Sequence, residues 1–392
     1  MRPRARVDPA TTVAAPWATV AFVQRRLPHY RVPLLEAMRA RLAGRGIALR
    51  FLHGAASPGE ESRHDAGTLA WAEPLPARYW AGGRIVWQPF LHRVAGCELV
   101  IVSQENKLVH NVLALADPRR RAALAFFGHG RNLQADAPGG AREWFKRQTT
   151  RRADWWYAYT RGSADIVAAA GFPRERITVV DNAIDTIALR EAIERARGLG
   201  VAANRRALGL PEHGPLVAFV GSLHADRRVP RLVELAAGLR RARPDVHVAV
   251  AGDGPLRARV DAASISAGGV LHPLGAVDGA RKALLLAACD LVLNPGAAGL
   301  GVLDAFAAGV PMVTVADARH GPEVAYVEHG RNGLVLPDAD LLPALVRLLD
   351  DTAERERLGA GAQAAGGTYT IERMGERFCT GIEACLEAQG RR

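Results

Sequence analysis

Lysine is nearly absent from this chain, occurring only as Lys107, Lys146 and Lys282, so arginine supplies almost all of the 51 basic side chains. The four cysteines are scattered without a CxxC pair, which favours reduced thiols over a disulfide framework or a zinc site. No window reaches about 18 uninterrupted apolar residues, so we expect no transmembrane helix. The basic N-terminus is followed by an apolar stretch, but Asp8, Pro9 and Pro16 interrupt it. A cytoplasmic protein is therefore favoured over a secreted one.

The length of 392 residues favours two domains, and the composition, 49% hydrophobic and 23% charged, is ordinary for a globular protein. The charge is unevenly divided. Residues 1–180 hold 27 basic and 14 acidic side chains, a net of +13, whereas the remainder holds 24 against 26, a net of −2. The basic half predicts an anionic partner, such as a membrane surface or a phosphate-bearing substrate. A genomic preference for arginine explains the excess equally well, and no common nucleic-acid-binding motif occurs.

The first half begins with βαβ spacing. An apolar strand at Ala18–Val23 is followed by a helix at Val32–Leu42 and a second strand at Ile47–Leu52. Ligand sites of such units lie beyond the carboxyl ends of the strands. The connecting segment Gln24–Arg31 lacks GxGxxG, which argues against a classical dehydrogenase. Its cationic and aromatic side chains either contact an anionic acceptor or form a surface loop; they are Arg25, His29, Tyr30 and Arg31.

Two further segments of the first half are candidates for function. His129 stands between two glycines where a strand ends, so it is sterically able to face a cleft. Arg142–Arg152 is a basic, aromatic-containing helix, and Trp155–Tyr157 follows it. A membrane interface suits this pattern. A solvated helix followed by a buried strand is the alternative, and it is favoured for Trp155–Tyr157.

The second half alternates strands and helices about six times, which predicts a second open α/β domain. Its most informative stretch is Asn294–Pro311, read as NPGAAGLGVLDAFAAGVP. A short strand runs into a glycine-rich turn and then into a helix, from about Leu300 to Ala308, with Asp304 expected in its second turn. Unpaired N–H groups and the helix dipole make such a helix start an anion site.

The order of motifs in this half resembles glycosyltransferase family 4. The motifs are GSLHADRR, AGDGPLR, LHPLG, CDLVLNPG, GLGVLDAFAAGVP and GPEVAYVEHGRNGL, and they cover roughly residues 215–340. The first half matches more weakly, through VQRRLPHYRVPLLEAM, FFGHG and VVDNAID. The resemblance implies a GT-B fold, in which two Rossmann-like α/β domains face each other across a cleft.

The resemblance also assigns residues, with two departures from the family pattern. The family clamps the donor diphosphate with an arginine and a lysine; Ser222 stands at the first position and Arg227 at the second, with Arg228 beside it. The family's two glutamates, eight positions apart, correspond to Gly296 and Asp304. The sugar-contacting acid is therefore absent, while the ribose-contacting acid is shortened.

The other residues that the resemblance implies lie around these. His129 corresponds to the histidine near the reacting sugar, Asn182 to an asparagine before the linker, and Glu323 to the acid of a Pro-Glu loop. The glycine-rich turns and the helix start complete the expected donor site, and they comprise Gly221, Gly252, Gly254, Gly299, Leu300 and Gly301.

The implied activity is retaining transfer of a sugar from a nucleoside-diphosphate sugar to a hydroxyl of a glycan or lipid-linked acceptor, in cell-surface polysaccharide or glycolipid synthesis. We expect no metal, no other cofactor and no nucleic acid. The expected acceptor domain spans residues 1–190, and the expected donor domain spans residues 191–368. Residues 369–392 are expected to form a C-terminal helix that packs back on the first domain. The protein is expected in the cytoplasm, with its basic half at the inner face of the membrane. A non-catalytic nucleotide-sugar-binding or scaffold protein is the alternative.

Overall fold

The computed structural model describes residues 15–57, 60, 65–130, 148–266 and 268–390. Residues 1–14 and most of the expected helix Arg142–Arg152 lie outside this part of the chain.

The first half is built on a parallel sheet of seven strands in the order β3-β2-β1-β6-β7-β8-β9. Its strands are β1 (Ala18–Gln24), β2 (Ile47–His53), β3 (Glu73–Pro74), β6 (Leu99–Ser103), β7 (Ala123–Gly128), β8 (Trp155–Ala158) and β9 (Ile177–Val179). The central strands are near-continuous apolar runs because helices cover a parallel sheet on both faces. Within β8, Trp156 and Tyr157 are fully buried. The interpretation of Trp155–Tyr157 as a buried strand is confirmed, and a membrane-facing role for it is wrong.

A separate antiparallel hairpin stands beside this sheet. It consists of β4 (Arg78–Trp80) and β5 (Ile85–Trp87), with Trp80 opposite Ile85 and Arg78 opposite Trp87. Helices of this half whose bounds lie within the described residues include α1 (Val32–Ala43), α2 (Val109–Ala116) and α3 (Arg161–Ala169).

The second half is built on a parallel sheet of six strands in the order β12-β11-β10-β13-β14-β15. The strands are β10 (Leu216–Val220), β11 (His247–Ala251), β12 (Leu271–Gly275), β13 (Leu291–Asn294), β14 (Met312–Val315) and β15 (Gly333–Leu336). The accompanying helices are α4 (Thr186–Leu199), α5 (Val201–Ala207), α6 (Val229–Ala242), α7 (Arg257–Ser266), α8 (Gly279–Ala288), α9 (Gly301–Ala308), α10 (Leu341–Asp350), α11 (Thr352–Gly366) and α12 (Ile371–Ala388).

The helical region that joins the two halves consists of two helices, α4 and α5. Gly200 separates α4 from α5 because it adopts φ 86°, a left-handed conformation that interrupts a helix. The final helix, α12, packs against α1. Its Phe378 ring lies 5.8 Å from that of Phe22 and 5.0 Å from that of Tyr157, so the end of the chain belongs to the core of the first sheet.

Each sheet has one point where the strand order reverses. In the first sheet this lies between β1 and β6, and in the second between β10 and β13. Ligands of open α/β sheets bind outside the carboxyl ends of the strands at such points. Among the described residues, none of the helices is long and apolar enough to cross a membrane.

Candidate functional site

The loops that follow β10 and β13 meet at the switch point of the second sheet. The Ala297 N–H donates a hydrogen bond of 2.8 Å to the Asp226 carbonyl, so the two loops are joined backbone to backbone. A Cβ on Gly301 would stand 3.8 Å from the Val220 carbonyl oxygen, which places the start of α9 beside the end of β10. The expected donor residues of both loops therefore lie at one edge of this sheet.

Gly296 is the tightest point of this junction. A Cβ at this position would lie 2.4 Å from the carbonyl carbon of Arg227 and 2.5 Å from the Asp226 oxygen. No side chain fits unless the backbone moves, and Gly296 itself is buried. The absence of the family's first acid thus has a steric cause, and the position that we assigned to donor binding has a packing role.

Gly252 and Gly254 likewise serve close packing of backbone on backbone. A Cβ on Gly252 would lie 1.8 Å from the Gly221 oxygen, and one on Gly254 would lie 2.9 Å from the Leu223 oxygen. The Leu223 N–H donates to the Asp253 carbonyl at 2.8 Å. These glycines hold the loop after β11 against the loop after β10.

The two neighbouring arginines of the β10 loop have different environments. Arg227 is half-buried and donates from Nη1 to the Ala297 carbonyl, so its guanidinium lies against the β13 loop. Arg228 donates to the side chain and the carbonyl of Asp317, each at 3.0 Å. This hydrogen bond lowers the pKa of Asp317. The guanidinium of Arg227 therefore lies against the β13 loop and that of Arg228 against Asp317, while Ser222 contributes no charge.

Sequence reasoning did not identify His320, which supports the same loop. Its Nδ1 accepts a hydrogen bond of 2.9 Å from the Ala298 N–H, and its Nε2 lies 2.6 Å from the Val315 carbonyl. The ring is thus in the tautomer that donates from Nε2, and burial lowers its pKa. Ala298 precedes His320 by 22 positions, so no local sequence pattern predicted that this histidine supports the β13 loop.

Helix α9 begins at Gly301 with Leu300 as its N-cap, and no side chain caps its first N–H groups. Asp304 lies in the first turn, not in the second turn as expected, because the helix begins at Gly301, and it is 8% exposed. Lys282 of α8 donates from Nζ to Asp304 Oδ1 at 2.8 Å. The pattern of the sequence identified the acid, but it did not identify the lysine that neutralises it.

Glu323 joins the two halves of the chain. It is 4% exposed, and its Oε1 accepts from Asn182 Nδ2 at 2.5 Å. A Cβ on Gly299 would lie 3.8 Å from Glu323 Oε2, so the carboxylate stands close to the start of α9. Burial raises the pKa of Glu323, although the positive charges of Arg31 and Arg227 oppose this rise.

His129 lies where β7 ends, on the edge of the first sheet. Its ring packs edge to face on Tyr159 with centroids 4.2 Å apart. Arg31 is buried beneath this pair, 5.8 Å from the Tyr159 centroid and 5.2 Å from that of Phe127. Such contacts stabilise a buried guanidinium. Arg31 is thus part of the packing under the cleft, not a surface contact for an acceptor.

The other arginines after β1 are engaged by carboxylates. Arg25 holds Glu60 with two hydrogen bonds, one of 2.6 Å, and lies 3.5 Å from Glu105. Arg26 binds Asp65 at 2.6 and 2.8 Å. Burial would raise the pKa of Glu60, but the hydrogen bonds and the charge of Arg25 lower it to about 2. Much of the positive charge expected to meet an anionic acceptor here is therefore neutralised within the chain.

Comparison with known sequences agrees with this arrangement. The sequence model described as Glycosyltransferase Family 4 matches residues 34–187, and that described as Glycosyl transferases group 1 matches residues 201–365. The D-inositol 3-phosphate glycosyltransferase of Nocardia farcinica is 30% identical over 345 residues, which cover 83% of this chain and 70% of that protein. The chain belongs to glycosyltransferase family 4.

A second family member, the D-inositol 3-phosphate glycosyltransferase of Salinispora arenicola, is 28% identical over 76% of this chain. The match spans 66% of that relative's own length, slightly less than two thirds. Among solved structures, Anabaena HepE in complex with UDP-glucose superimposes with a TM-score of 0.66 and 19% identity, covering 93% of this chain and 99% of that one. The GT-B fold expected from the sequence is confirmed.

Proposed function

We propose that this family 4 member is a retaining transferase that moves a sugar from a nucleoside-diphosphate sugar to a hydroxyl of a glycan or lipid-linked acceptor. The observation that carries the proposal is the convergence of Arg227 and the uncapped start of α9 at the switch point of the second sheet. A cation and a helix N-terminus together suit a diphosphate. That Anabaena HepE was determined with UDP-glucose supports this class of donor.

The leaving group determines what the site has to do. As the bond between the sugar's anomeric carbon and the diphosphate oxygen breaks, the diphosphate gains negative charge. Arg227 and the N–H groups near Gly299–Gly301 stabilise that charge where it develops. We expect this electrostatic work to need no metal ion.

Retention follows from attack on the face that the diphosphate leaves. The acceptor oxygen forms its bond to the anomeric carbon, and its proton passes to the departing phosphate oxygen. His129 holds the reacting sugar from the first-sheet edge, and Asp304 accepts hydrogen bonds from the ribose hydroxyls. Because Lys282 occupies Oδ1 of Asp304, Oδ2 is the oxygen proposed for the ribose.

The donor sugar needs a carboxylate that Gly296 does not provide. Glu323 stands near Gly299 on the cleft side of the second half, and we propose that it takes the place of the missing acid. Its buried carboxyl accepts from Asn182 through Oε1, and Oε2, on the side of Gly299, is the oxygen that we propose for a sugar hydroxyl.

A thermal-shift screen followed by a transfer assay tests the proposal. A donor that binds the native chain raises its melting temperature by mass action, so a panel of UDP-, GDP- and ADP-sugars identifies base and sugar together. Release of the nucleoside diphosphate in the presence of glycan and lipid-linked acceptors then measures transfer. No stabilisation by any nucleotide or nucleotide-sugar would refute the donor site.

The absence of charge at Ser222 and Gly296 favours one alternative, a non-catalytic nucleotide-sugar-binding or scaffold protein of a cell-surface polysaccharide pathway. That protein would be stabilised by a nucleotide-sugar in the same screen, yet would neither hydrolyse nor transfer the sugar with any acceptor.

A further inference from the structure

The β4–β5 hairpin projects from the first half of the chain. Its tip, Ala81–Gly83, has three consecutive residues at positive φ, 50°, 64° and 82°. A Cβ added at Gly82 or Gly83 would meet nothing within 4 Å, so the tip points away from the body of the protein.

Large apolar side chains are exposed on both strands of this hairpin. Trp80 is 47% exposed and Ile85, its cross-strand partner, is 42% exposed. The Trp87 ring lies 6.4 Å from that of Trp80 and packs edge to face on His110 of α2 at 4.2 Å. Leu113, one turn further along α2, is 42% exposed. Trp80, Ile85, Trp87 and Leu113 are here called the hairpin ridge, and His110 is buried against Trp87.

The hairpin and α2 themselves carry charge of one sign, and the nearby Glu60 and Glu105 are paired with Arg25 and Lys107. No aspartate or glutamate occurs at positions 74–97 or 106–116, the segments that hold the hairpin and α2. Arg78 on β4 and Arg84, which directly precedes β5, are exposed. The hairpin is also firmly attached, since the Val86 N–H donates to the Lys107 carbonyl and Gln88 Nε2 donates to the Gln24 carbonyl, each at 2.8 Å.

We propose that the hairpin ridge is a docking surface for an anionic lipid bilayer. Tryptophan rings reside at the level of lipid headgroups, isoleucine and leucine insert just below, and arginine binds lipid phosphate. A protein partner would be expected to bring carboxylates for the arginines and an apolar groove for the ridge, but a hairpin and a helix without any acidic residue fit a uniformly anionic plane best.

The position of the ridge gives docking a consequence for the proposed transfer. Gln24, which Gln88 contacts, is the last residue of β1 and lies on the carboxyl edge of the first sheet. Docking there brings this edge, where β7 presents His129, toward the bilayer. This consequence rests on the proposed function and favours a lipid-linked acceptor; the binding itself does not depend on it.

Sedimentation of the full chain with vesicles tests the proposal. Binding is expected to vesicles of phosphatidylcholine mixed with phosphatidylglycerol, and to fade as salt is raised, because salt screens the arginine contribution. The double variant Trp80→Ala/Ile85→Ala is expected to bind about tenfold or more weakly, since two large side chains lose their burial. Arg84→Gln is expected to weaken binding about threefold to fivefold through the loss of one charge near the surface.

Two matched controls lie at the amino-terminal ends of strands in the first sheet, opposite the carboxyl edge. Trp17, 39% exposed, precedes β1, and Arg176 is exposed before β9. Trp17→Ala and Arg176→Gln are expected to bind vesicles like the native chain. Equal binding to pure phosphatidylcholine, undiminished binding by the double variant, or an equal loss in the controls would each overturn the proposal.

Donor binding separates this result from the proposed function. Stabilisation by UDP or GDP is expected to be the same in Trp80→Ala/Ile85→Ala as in the native chain, which also shows that the variant folds. Vesicle binding without any nucleotide effect would refute the proposed function and leave the docking surface intact.

Discussion

Asn182 and Glu323 join the two halves of this chain through a hydrogen bond of 2.5 Å between the carboxamide and the carboxylate. The two residues are 2% and 4% exposed. Tyr326 reinforces the junction, because its hydroxyl donates to the Asn182 carbonyl at 3.3 Å. The carboxylate that we propose for the donor sugar is thus positioned by a residue that follows the last strand of the other sheet.

The raised pKa of Glu323 predicts a dependence of stability on pH. This carboxyl binds its proton more tightly in the folded chain than in the unfolded chain. The folded chain therefore loses stability as pH rises from 4.5, the ordinary pKa of a glutamate, through the raised pKa. Glu323→Gln removes this loss, so its melting temperature relative to the native chain should increase from pH 4.5 to pH 8. Glu328→Gln, at an exposed site in the same segment, should show no such trend. If the melting temperature of Glu323→Gln relative to the native chain falls between pH 4.5 and pH 8, the raised pKa of Glu323 is contradicted.

Arg227 is expected to dominate donor binding among the arginines of its segment. Arg227→Ala should lower the affinity for the stabilising nucleotide-sugar, and the rate of transfer, by more than about tenfold, because a charge-assisted contact to the diphosphate is lost. Arg231→Ala serves as the control, since Arg231 lies on α6 and pairs with Asp338 at 2.9 Å. If both variants bind nucleotide like the native chain in calorimetry, the donor clamp is misplaced.

Asp304 should matter through its carboxylate. Asp304→Ala is expected to cut transfer by more than about tenfold, because hydrogen bonds to the ribose are lost. The measurement is steady-state kinetics with the donor from the screen, accompanied by a melting curve to verify folding. Native turnover by the folded variant would remove Asp304 from the site.

Introducing the family's acid at Gly296 is expected to lower the stability of the fold. Gly296→Glu should lower the free energy of unfolding by on the order of 3 kcal/mol, because its Cβ would overlap the Asp226–Arg227 backbone. Gly299→Ala should cost about 1 kcal/mol or less, since its Cβ would have 3.8 Å to the nearest atom. Urea unfolding distinguishes the two, and equal stability of Gly296→Glu and the native chain would show that the loops can separate.

Lys282 should stabilise the fold by neutralising Asp304. Lys282→Met is expected to cost about 1–3 kcal/mol, because a carboxylate that is 8% exposed loses its cation. Lys107→Met is the matched control: Lys107 lies 3.0 Å from Glu105, but both side chains are about one-third exposed, and the loss should stay below about 1 kcal/mol. In the double variant Lys282→Met/Asp304→Asn, the loss of unfolding free energy should be smaller than the sum of the losses in the two single variants. A double-mutant cycle measures this difference.

The sequence determined the fold class and most elements because these depend on local patterns. Strands such as Leu216–Val220 and Met312–Val315 coincide with their apolar runs. The βα turns are marked by glycine, and the order of motifs was sufficient to identify the family. The family resemblance also assigned Arg227 and Asp304, which the structure places on a loop and a helix start at the same sheet edge, because carboxyl ends of parallel strands share one edge.

Tertiary structure decided which of these residues remain available for a ligand. Arg25 and Arg228 have the same side chain as Arg227, but Glu60 and Asp317 engage them. Lys282 and His320 acquire their roles from partners on other elements. Gly296 has no acid because a backbone 70 positions earlier, at Asp226, occupies the space of its side chain. Such pairings depend on how distant segments pack, and no periodicity or motif within either segment encodes them.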